Sequence, residues 1–349
     1  MTIRIGFLGT GFISRTHSWF LKHATGDHRI VAVHDPAADR AAAFADRVGA
    51  DAVGEDEVLG RVDAVFVTTW TSEHERLVAA AAERGVAVFC EKPLAVDGAI
   101  AAAMTADVDA AGVVNQVGLV LRFIPQFLHA RALLADPRAG RLLAVTFRDD
   151  QFIPIQSYYG STWRIDPARC GRGTLLEHSI HDVDILQWLC GPVTSVSGAV
   201  REIHGHPRID DVAVARLEFG SGGIASLTSL WHDITDRPSQ RHVEIFCENL
   251  QVTLDGTPDG PLTWQYTGEP VQTLQGVALA AACVDAGNAD ADDLVPVGDG
   301  AMFNPLSPFL RAISNGAASP LPFSEALPAH RLVDAIYASA DEGGTTIRM

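Results

Sequence analysis

Val86-Ala87-Val88-Phe89-Cys90-Glu91-Lys92-Pro93-Leu94 is an apolar run that stops abruptly at charge. Its first five residues predict a short strand buried on both faces, as in the interior of a parallel sheet. Glu91 and Lys92 mark the carboxyl end of that strand, and Pro93 starts a turn. In an open parallel α/β sheet, ligands bind at that end of the strands. A solvated ion pair before a turn proline accounts for an isolated Glu-Lys-Pro equally well, so the neighbours decide. A partly desolvated lysine at such a place can donate to a substrate hydroxyl or exchange a proton.

Outward from this strand, towards the amino terminus, strands and helices alternate. Ile3 to Leu8 predicts a first strand, followed at once by Gly9-Thr10-Gly11-Phe12-Ile13-Ser14 and a helical run through His17, Phe20 and Leu21. Glycines between a strand and a helix allow a tight turn and close approach of a pyrophosphate to backbone N–H groups at the helix start. Ser14 stands where the fingerprint has its third glycine, a position that governs helix-to-strand packing and accepts a small side chain. A second strand, Ile30 to His34, ends in Asp35, which would accept hydrogen bonds from ribose hydroxyls and repel a 2′-phosphate. That predicts NAD rather than NADP, a preference that Arg40, one helical turn further on, would soften.

The helix Ala37–Val48, the strand Val62–Val67, the helix Glu75–Arg84, the helix Ala99–Ala110 and the strand Val113–Val120 complete a doubly wound, Rossmann-type parallel sheet over residues 1–122. The loops after its first, third and fourth strands converge on one edge. Candidate cofactor contacts are therefore Gly9, Thr10, Gly11, Phe12, Ile13, Asp35, Thr69, Trp70, His74, Glu91 and Lys92.

Residues 123–349 follow a different pattern. After the helix Phe127–Leu134 come strand candidates at Arg141–Asp150, Val193–Ile203, Asp211–Phe219, Gly223–Trp231, Arg241–Cys247 and Leu250–Leu254, some joined by Gly-rich turns. They predict an α+β domain on a large, mostly antiparallel sheet whose open face suits self-association. Thr267 to Gly300 is weakly patterned and rich in aspartate, which reads as an acidic surface excursion rather than a calcium loop. Helices at Phe309–Ile313 and Glu325–Ala340 close the chain.

A second candidate cluster lies in Gly171-Arg172-Gly173-Thr174-Leu175-Leu176-Glu177-His178-Ser179-Ile180-His181-Asp182-Val183-Asp184. A helix over Leu175–Leu189 would place Glu177, His181, Asp184 and Trp188 on one face. The spacing of four lets the Glu177 carboxylate orient the His181 imidazole or hold a substrate hydroxyl beside it, as a general acid/base requires. A polar stripe with a hydrogen-bonded histidine uses the same residues. So does a zinc site of His178 and His181 with Glu177 or Asp182, but His178 is turned about 100° from the stripe on an ideal helix. No metal is assigned.

Composition narrows the class. The chain has 349 residues, 47% hydrophobic and 20% charged, with a net charge of −17 at pH 7. That charge repels nucleic acid and anionic membranes, and no apolar tract is long enough to span a bilayer. Five scattered cysteines without a CxxC pair, and a start that goes directly into a strand, predict a reduced cytoplasmic setting.

Together these features resemble the family of glucose-fructose oxidoreductase, inositol dehydrogenase and the rhizopine-catabolism protein MocA. The resemblance rests on the Gly9/Gly11 turn, Glu91-Lys92-Pro93, Arg122-Phe123 with Pro125, Trp163-Arg164, the 171–184 segment and the ending around Glu325 to Ala335. It implies an NAD(P)-dependent oxidoreductase acting on a sugar, inositol or related polyol, assembled as a homodimer or homotetramer through the C-terminal sheet. Lys92 and His181 would be catalytic with Glu177, and Arg122, Trp163 and Arg164 would join the cofactor contacts. Glu177 replaces the aspartate common in the family, Ser179 a glycine, and Trp70 a proline. Two other activities share these residues: a glycosidase or lyase using NAD for transient oxidation, and a dinucleotide-binding sensor without catalysis.

Overall fold

The computed structural model describes residues 2–256, 260–298 and 300–349. The chain forms two compact units. One comprises 1–119 with 168–171 and 304–327; the other comprises 120–167, 172–303 and 328–349. A division of the chain at 122 does not include the return of segments 168–171 and 304–327 to the first unit.

In the first unit, β1 (Ile3–Leu8), β2 (His28–His34), β3 (Asp51–Ala52), β4 (Ala64–Val67), β5 (Ala87–Cys90) and β6 (Asn115–Val117) form one sheet in the order β3-β2-β1-β4-β5-β6. All its pairings are parallel. This is the doubly wound order, in which the sequence of strands reverses between β1 and β4, the place where ligands bind. Helices α1 (Phe12–Lys22), α2 (Ala38–Val48), α3 (Glu55–Arg61), α4 (His74–Ala82) and α5 (Gly98–Ala111) connect the strands. Register carries the core: Phe7, Phe66 and Phe89 are aligned across β1, β4 and β5. Their rings stack at centroid separations of 4.9 Å, and Phe309 meets Phe66 and Phe89 edge-on. β6 is shorter than the expected 113–120 strand because Asn115, Gln116 and Val117 turn their polar groups to the returning segment. Asn115 Oδ1 accepts from Phe323 N, Gln116 Nε2 donates to Pro305 O, and Val117 N donates to Leu321 O.

In the second unit, α6 (Pro125–Ala135) precedes a nine-stranded sheet of β7 (Leu142–Phe152), β8 (Val193–Arg201), β9 (Val212–Phe219), β10 (Ile224–His232), β11 (Gln240–Cys247), β12 (Leu250–Asp255), β13 (Leu262–Tyr266), β14 (Gln272–Leu274) and a final strand Ile347–Arg348. Among the described residues of this sheet, only β7 and β10 pair in parallel. One face holds Val145, Phe147, Leu217, Leu227, Val243 and Ile245 in the core. On the other, Ile224, Ala144 and Phe246 are cross-strand neighbours, with Ile224 45% and Phe246 41% exposed.

Two sequence expectations change here. The stretch 267–300, expected as a weakly patterned acidic surface excursion, contains β14 and the alanine-rich helix Gly276–Asp285, whose Ala280 and Cys283 pack with Ala301 and Phe303. Asp299 lies outside the described residues. The continuous helix expected over 175–189 is instead a π-helical turn, Thr174–His178, followed by an α-helix, Ile180–Cys190.

Candidate active site

At the carboxyl edge of the parallel sheet, β1 runs into the dinucleotide turn. Gly9 has φ +87°, and a Cβ there would lie 2.6 Å from the Thr68 carbonyl oxygen, so the turn requires glycine. A Cβ on Gly11 would meet nothing within 4 Å, which leaves its outer side open. Ser14, the substitute for the third glycine, is buried; its hydroxyl donates to Gly9 O at 2.9 Å and to Thr68 Oγ1 at 3.1 Å. The N-cap of α1 is Gly11, which has no side chain to stand between the helix start and a ligand. A glycine turn opening directly into a helix fits a pyrophosphate.

Asp35 follows β2 directly and faces this turn. Its Oδ2 accepts from Thr10 N at 2.9 Å and from Thr10 Oγ1, while Oδ1 accepts from Ala37 N and Arg40 Nη2, both at 2.9 Å. Burial opposes ionisation of this carboxyl, but the two backbone donors and Arg40 hold it below its ordinary range. Asp35 is thus an anion locked against the turn, with the Arg40 guanidinium on its outer side.

Lys92 stands half-buried at the end of β5, and the Lys92–Pro93 peptide bond is cis. His74 lies beneath the turn that follows, fully enclosed, with Nδ1 at 3.1 Å from Pro93 O and 3.2 Å from Leu94 O. Burial lowers its pKa, and its position makes it a brace for that turn. Trp70 is partly exposed and carries the Arg169 guanidinium 3.8 Å above its ring; Thr69 Oγ1 donates to Trp70 O. Phe12, 52% exposed, and Ile13 begin α1 at the mouth of the turn.

In the second unit, the π-helical turn brings Glu177 against Arg164, whose Nε donates to Glu177 Oε1 at 2.7 Å. The Arg164 guanidinium lies over the Trp163 and Tyr159 rings at 4.5 and 5.1 Å. Arg122 pairs with Asp184 through Nε and Nη2 at 2.9 and 2.5 Å. Asp184 thus holds the Arg122 guanidinium through both of its carboxylate oxygens. His181, in the first turn of the α-helix, is 8% exposed.

Three buried arrangements fix this segment, and the sequence reading missed all of them. Ser229 Oγ on β10 bonds Thr174 Oγ1 at 2.8 Å and Ser179 Oγ at 2.6 Å, so hydroxyls hold both ends of the π turn. Ser179 N closes that turn on Thr174 O at 2.8 Å. Asp210 accepts from Gly173 N and Leu175 N through its carboxylate, and its carbonyl accepts from Thr174 N at 2.6 Å.

Beneath the segment lies a charged group in which Arg241 donates to Asp182 at 2.7 Å and to Asp149 at 3.0 Å, with His178 Nε2 2.6 Å from Asp149. Burial, reinforced by Asp149, pushes the Asp182 carboxyl up; Asp149 is equally buried, yet Arg241 and His178 hold it down. His178 is thereby tied to a carboxylate of β7. Among the described residues no group of three or more His, Cys, Asp or Glu side chains gathers in a metal-holding arrangement. The available signal was Asp149-Asp150 inside a strand candidate, where alternation alone would not place two charges.

With this geometry in hand, comparison with known proteins is decisive. A family model described as an oxidoreductase family with an NAD-binding Rossmann fold matches residues 3–119, and the GFO/IDH/MocA C-terminal domain matches residues 127–253. The chain belongs to the Gfo/Idh/MocA oxidoreductases. This family member is similar to inositol 2-dehydrogenase 3 of Saccharopolyspora erythraea, 34% identical over 312 residues that cover 76% of this chain and 89% of the relative. It is 33% identical over 248 residues to the NAD(+)-type scyllo-inositol 2-dehydrogenase of Bacillus subtilis, covering 66% and 70% of the two chains. The solved structure of a levoglucosan dehydrogenase in complex with NADH shares the fold with a TM-score of 0.87 at 20% identity, over 100% of this chain and 99% of that one. Like its family, this Gfo/Idh/MocA chain is an enzyme of the dehydrogenase and reductase type with an NAD-binding domain. Among the described residues no helix is long and apolar enough to cross a membrane.

Proposed function

We propose that this enzyme oxidises a secondary alcohol of an inositol, sugar or related polyol, in reversible exchange with a nicotinamide cofactor. The observation that carries the reading is Lys92 at the end of β5, on the same strand-end edge as the Gly9–Gly11 turn and Asp35. The names of the inositol dehydrogenases it resembles point to the substrate class. Gly9, Thr10, Gly11 and Asp35 would hold the dinucleotide, with Phe12, Ile13, Thr69 and Trp70 around the mouth. NAD, when bound, supplies the hydride acceptor; the chain's residues handle position and protons. His181 takes the hydroxyl proton, Lys92 stabilises negative charge developing on that oxygen, and Glu177, held by Arg164, orients His181 or a neighbouring hydroxyl.

The test is absorbance of reduced cofactor with purified enzyme, NAD or NADP, and a panel of inositols, aldoses and glycosides. Steady NADH formation on one polyol class is expected, with a lower kcat/KM for NADP because the Asp35 anion opposes a 2′-phosphate. Glycoside cleavage with bound NAD and no net NADH would move the assignment to the transient-oxidation glycosidase or lyase. A dinucleotide sensor has no use for Lys92 and His181, and turnover of any polyol removes that reading.

We also propose that the open sheet face carrying Ile224, Ala144 and Phe246 packs against a second copy, giving a homodimer or homotetramer. Light scattering is expected to return at least twice the 37.2 kDa chain mass; a monomer at micromolar concentration would exclude it. We also propose a cytoplasmic setting, which the five free cysteines support; burial pushes the thiols of Cys90 and Cys190 up, Cys190 to about 12.

A further inference from the structure

A histidine on the buried face of α1 calls for an explanation. His17 is 2% exposed, and its ring packs against Phe66 and Phe89 at centroid distances of 5.9 and 4.8 Å. Core packing alone would favour leucine there, because an imidazole in such surroundings costs free energy unless it is hydrogen-bonded. Its Nδ1 meets no hydrogen-bond partner. Its Nε2 lies 2.5 Å from Glu91 Oε1. The ring's polar capacity is therefore committed to one carboxylate, with Nε2 as donor.

That carboxylate is committed in turn. Glu91 is 8% exposed, and its Oε2 accepts the backbone N–H of Lys92 at 3.0 Å. Opposite, a Cβ on Gly118 would come within 3.2 Å of the carboxylate, so Glu91 fits only against bare backbone. Helix α1 begins immediately after the Gly9–Gly11 turn. One chain of contacts thus runs from the helix of the dinucleotide turn, through His17 and Glu91, to the backbone of Lys92.

We propose that His17 is a positioning residue that sets Lys92 through Glu91, so that the dinucleotide turn and the charge-stabilising lysine are built as one hydrogen-bonded unit. The inference deepens the function proposed above and rests on its reading of Lys92. The titratable groups around Glu91 are His17 from α1, His74 from α4, and its chain neighbours Cys90 and Lys92. Burial raises the Glu91 carboxyl, but the His17 bond, His17 itself and Lys92 bring it below its ordinary value. Without His17 the burial stays and its main counterweight is gone, so the carboxyl rises. Glu91 then takes up its proton at a higher pH, and the anion beside Lys92 is lost there.

The experiment measures kcat, KM, the NAD dissociation constant and the pH profile of kcat/KM for His17→Leu, His17→Gln, Glu91→Gln and Lys92→Ala. His17→Leu is expected to lower kcat by about 10- to 100-fold, with NAD affinity within about threefold of wild type and the acid limb moved to higher pH. His17→Gln, which offers an amide N–H near the place of Nε2, is expected to recover most of that loss. If His17→Leu does not fold, Glu91→Gln takes its place, with a comparable fall in kcat. A wild-type kcat and acid limb in the folded variant overturns the proposal; so does an equal loss in the Leu and Gln variants, which would assign the effect to packing. Unchanged turnover in Lys92→Ala would instead remove the reading of Lys92 on which the proposal stands.

Discussion

Turnover in Lys92→Ala and in His181→Ala is expected to fall by about a thousandfold each, while both proteins still fold and bind NAD. A positioned acid or base contributes about 10²- to 10⁴-fold, and the proposed reaction asks for two such acts on one hydroxyl: uptake of its proton and stabilisation of its oxygen. Lys92 belongs to the parallel-sheet unit and His181 to the nine-stranded one. Single substitutions therefore leave the other unit's machinery in place. The decisive measurement is the double variant. Groups that serve one transition state lose little more together than apart, so Lys92→Ala/His181→Ala should be far less impaired than the product of the two single losses. Multiplied losses would mean that the residues act in independent steps, and wild-type turnover in either single variant would remove that residue from the chemistry.

What could be read in advance follows the range of the interactions involved. The parallel sheet was legible because each of its signals is local: buried apolar runs, a strand followed by a glycine turn, and an acid after the second strand. The six-strand order adds only β3, two residues too short to leave a pattern. Lys92, Glu177 and His181 were singled out as polar residues placed where an apolar pattern predicts none. What stayed hidden depends on partners far away in the chain. Ser179 reads as an ordinary departure from a family glycine until Ser229, fifty residues on, bonds its hydroxyl. His17 reads as one residue of an amphipathic helix until Glu91 arrives from seventy-four residues away. The helix over 175–189 failed for a related reason. Its apolar spacing fits an α-helix, but Asp210 and the Thr174–Ser229–Ser179 hydroxyls stabilise a wider first turn that spacing cannot report. The carboxylate partners of Arg122 and Arg164, which the resemblance implies as cofactor contacts, were hidden in the same way: Asp184 lies sixty-two residues on from Arg122, and Glu177 thirteen from Arg164.

The dependence of that wide turn on Asp210 leads to the second large effect, expected in Gly173→Ala. A Cβ at 173 would lie 1.9 Å from the carbonyl oxygen of Asp210 and 2.4 Å from its nitrogen. Both are backbone atoms, so no rotamer change relieves the clash. The contact exists because Thr174 N reaches Asp210 O while the same aspartate's carboxylate takes Gly173 N and Leu175 N. Tyr337 OH also donates to Asp210, at 2.8 Å. Moving the two segments apart to admit a methyl would break three hydrogen bonds from backbone N–H groups to Asp210, a residue that is almost wholly buried. A loss of about 4 kcal/mol or more is expected, in the range reserved for strained or unsatisfied cores, and with it a lower melting temperature or no soluble protein. Gly60→Ala is the comparison: its Cβ would meet nothing within 4 Å, on the exposed side of α3, and helix propensity predicts unchanged or slightly higher stability. If Gly173→Ala melts like wild type, the backbone around Asp210 yields more readily than close packing allows. If it folds but loses turnover, the π turn bearing Glu177 has shifted to make room. The second outcome would localise the strain to the turn itself, because the sheet and the helix Ile180–Cys190 would then have formed without it.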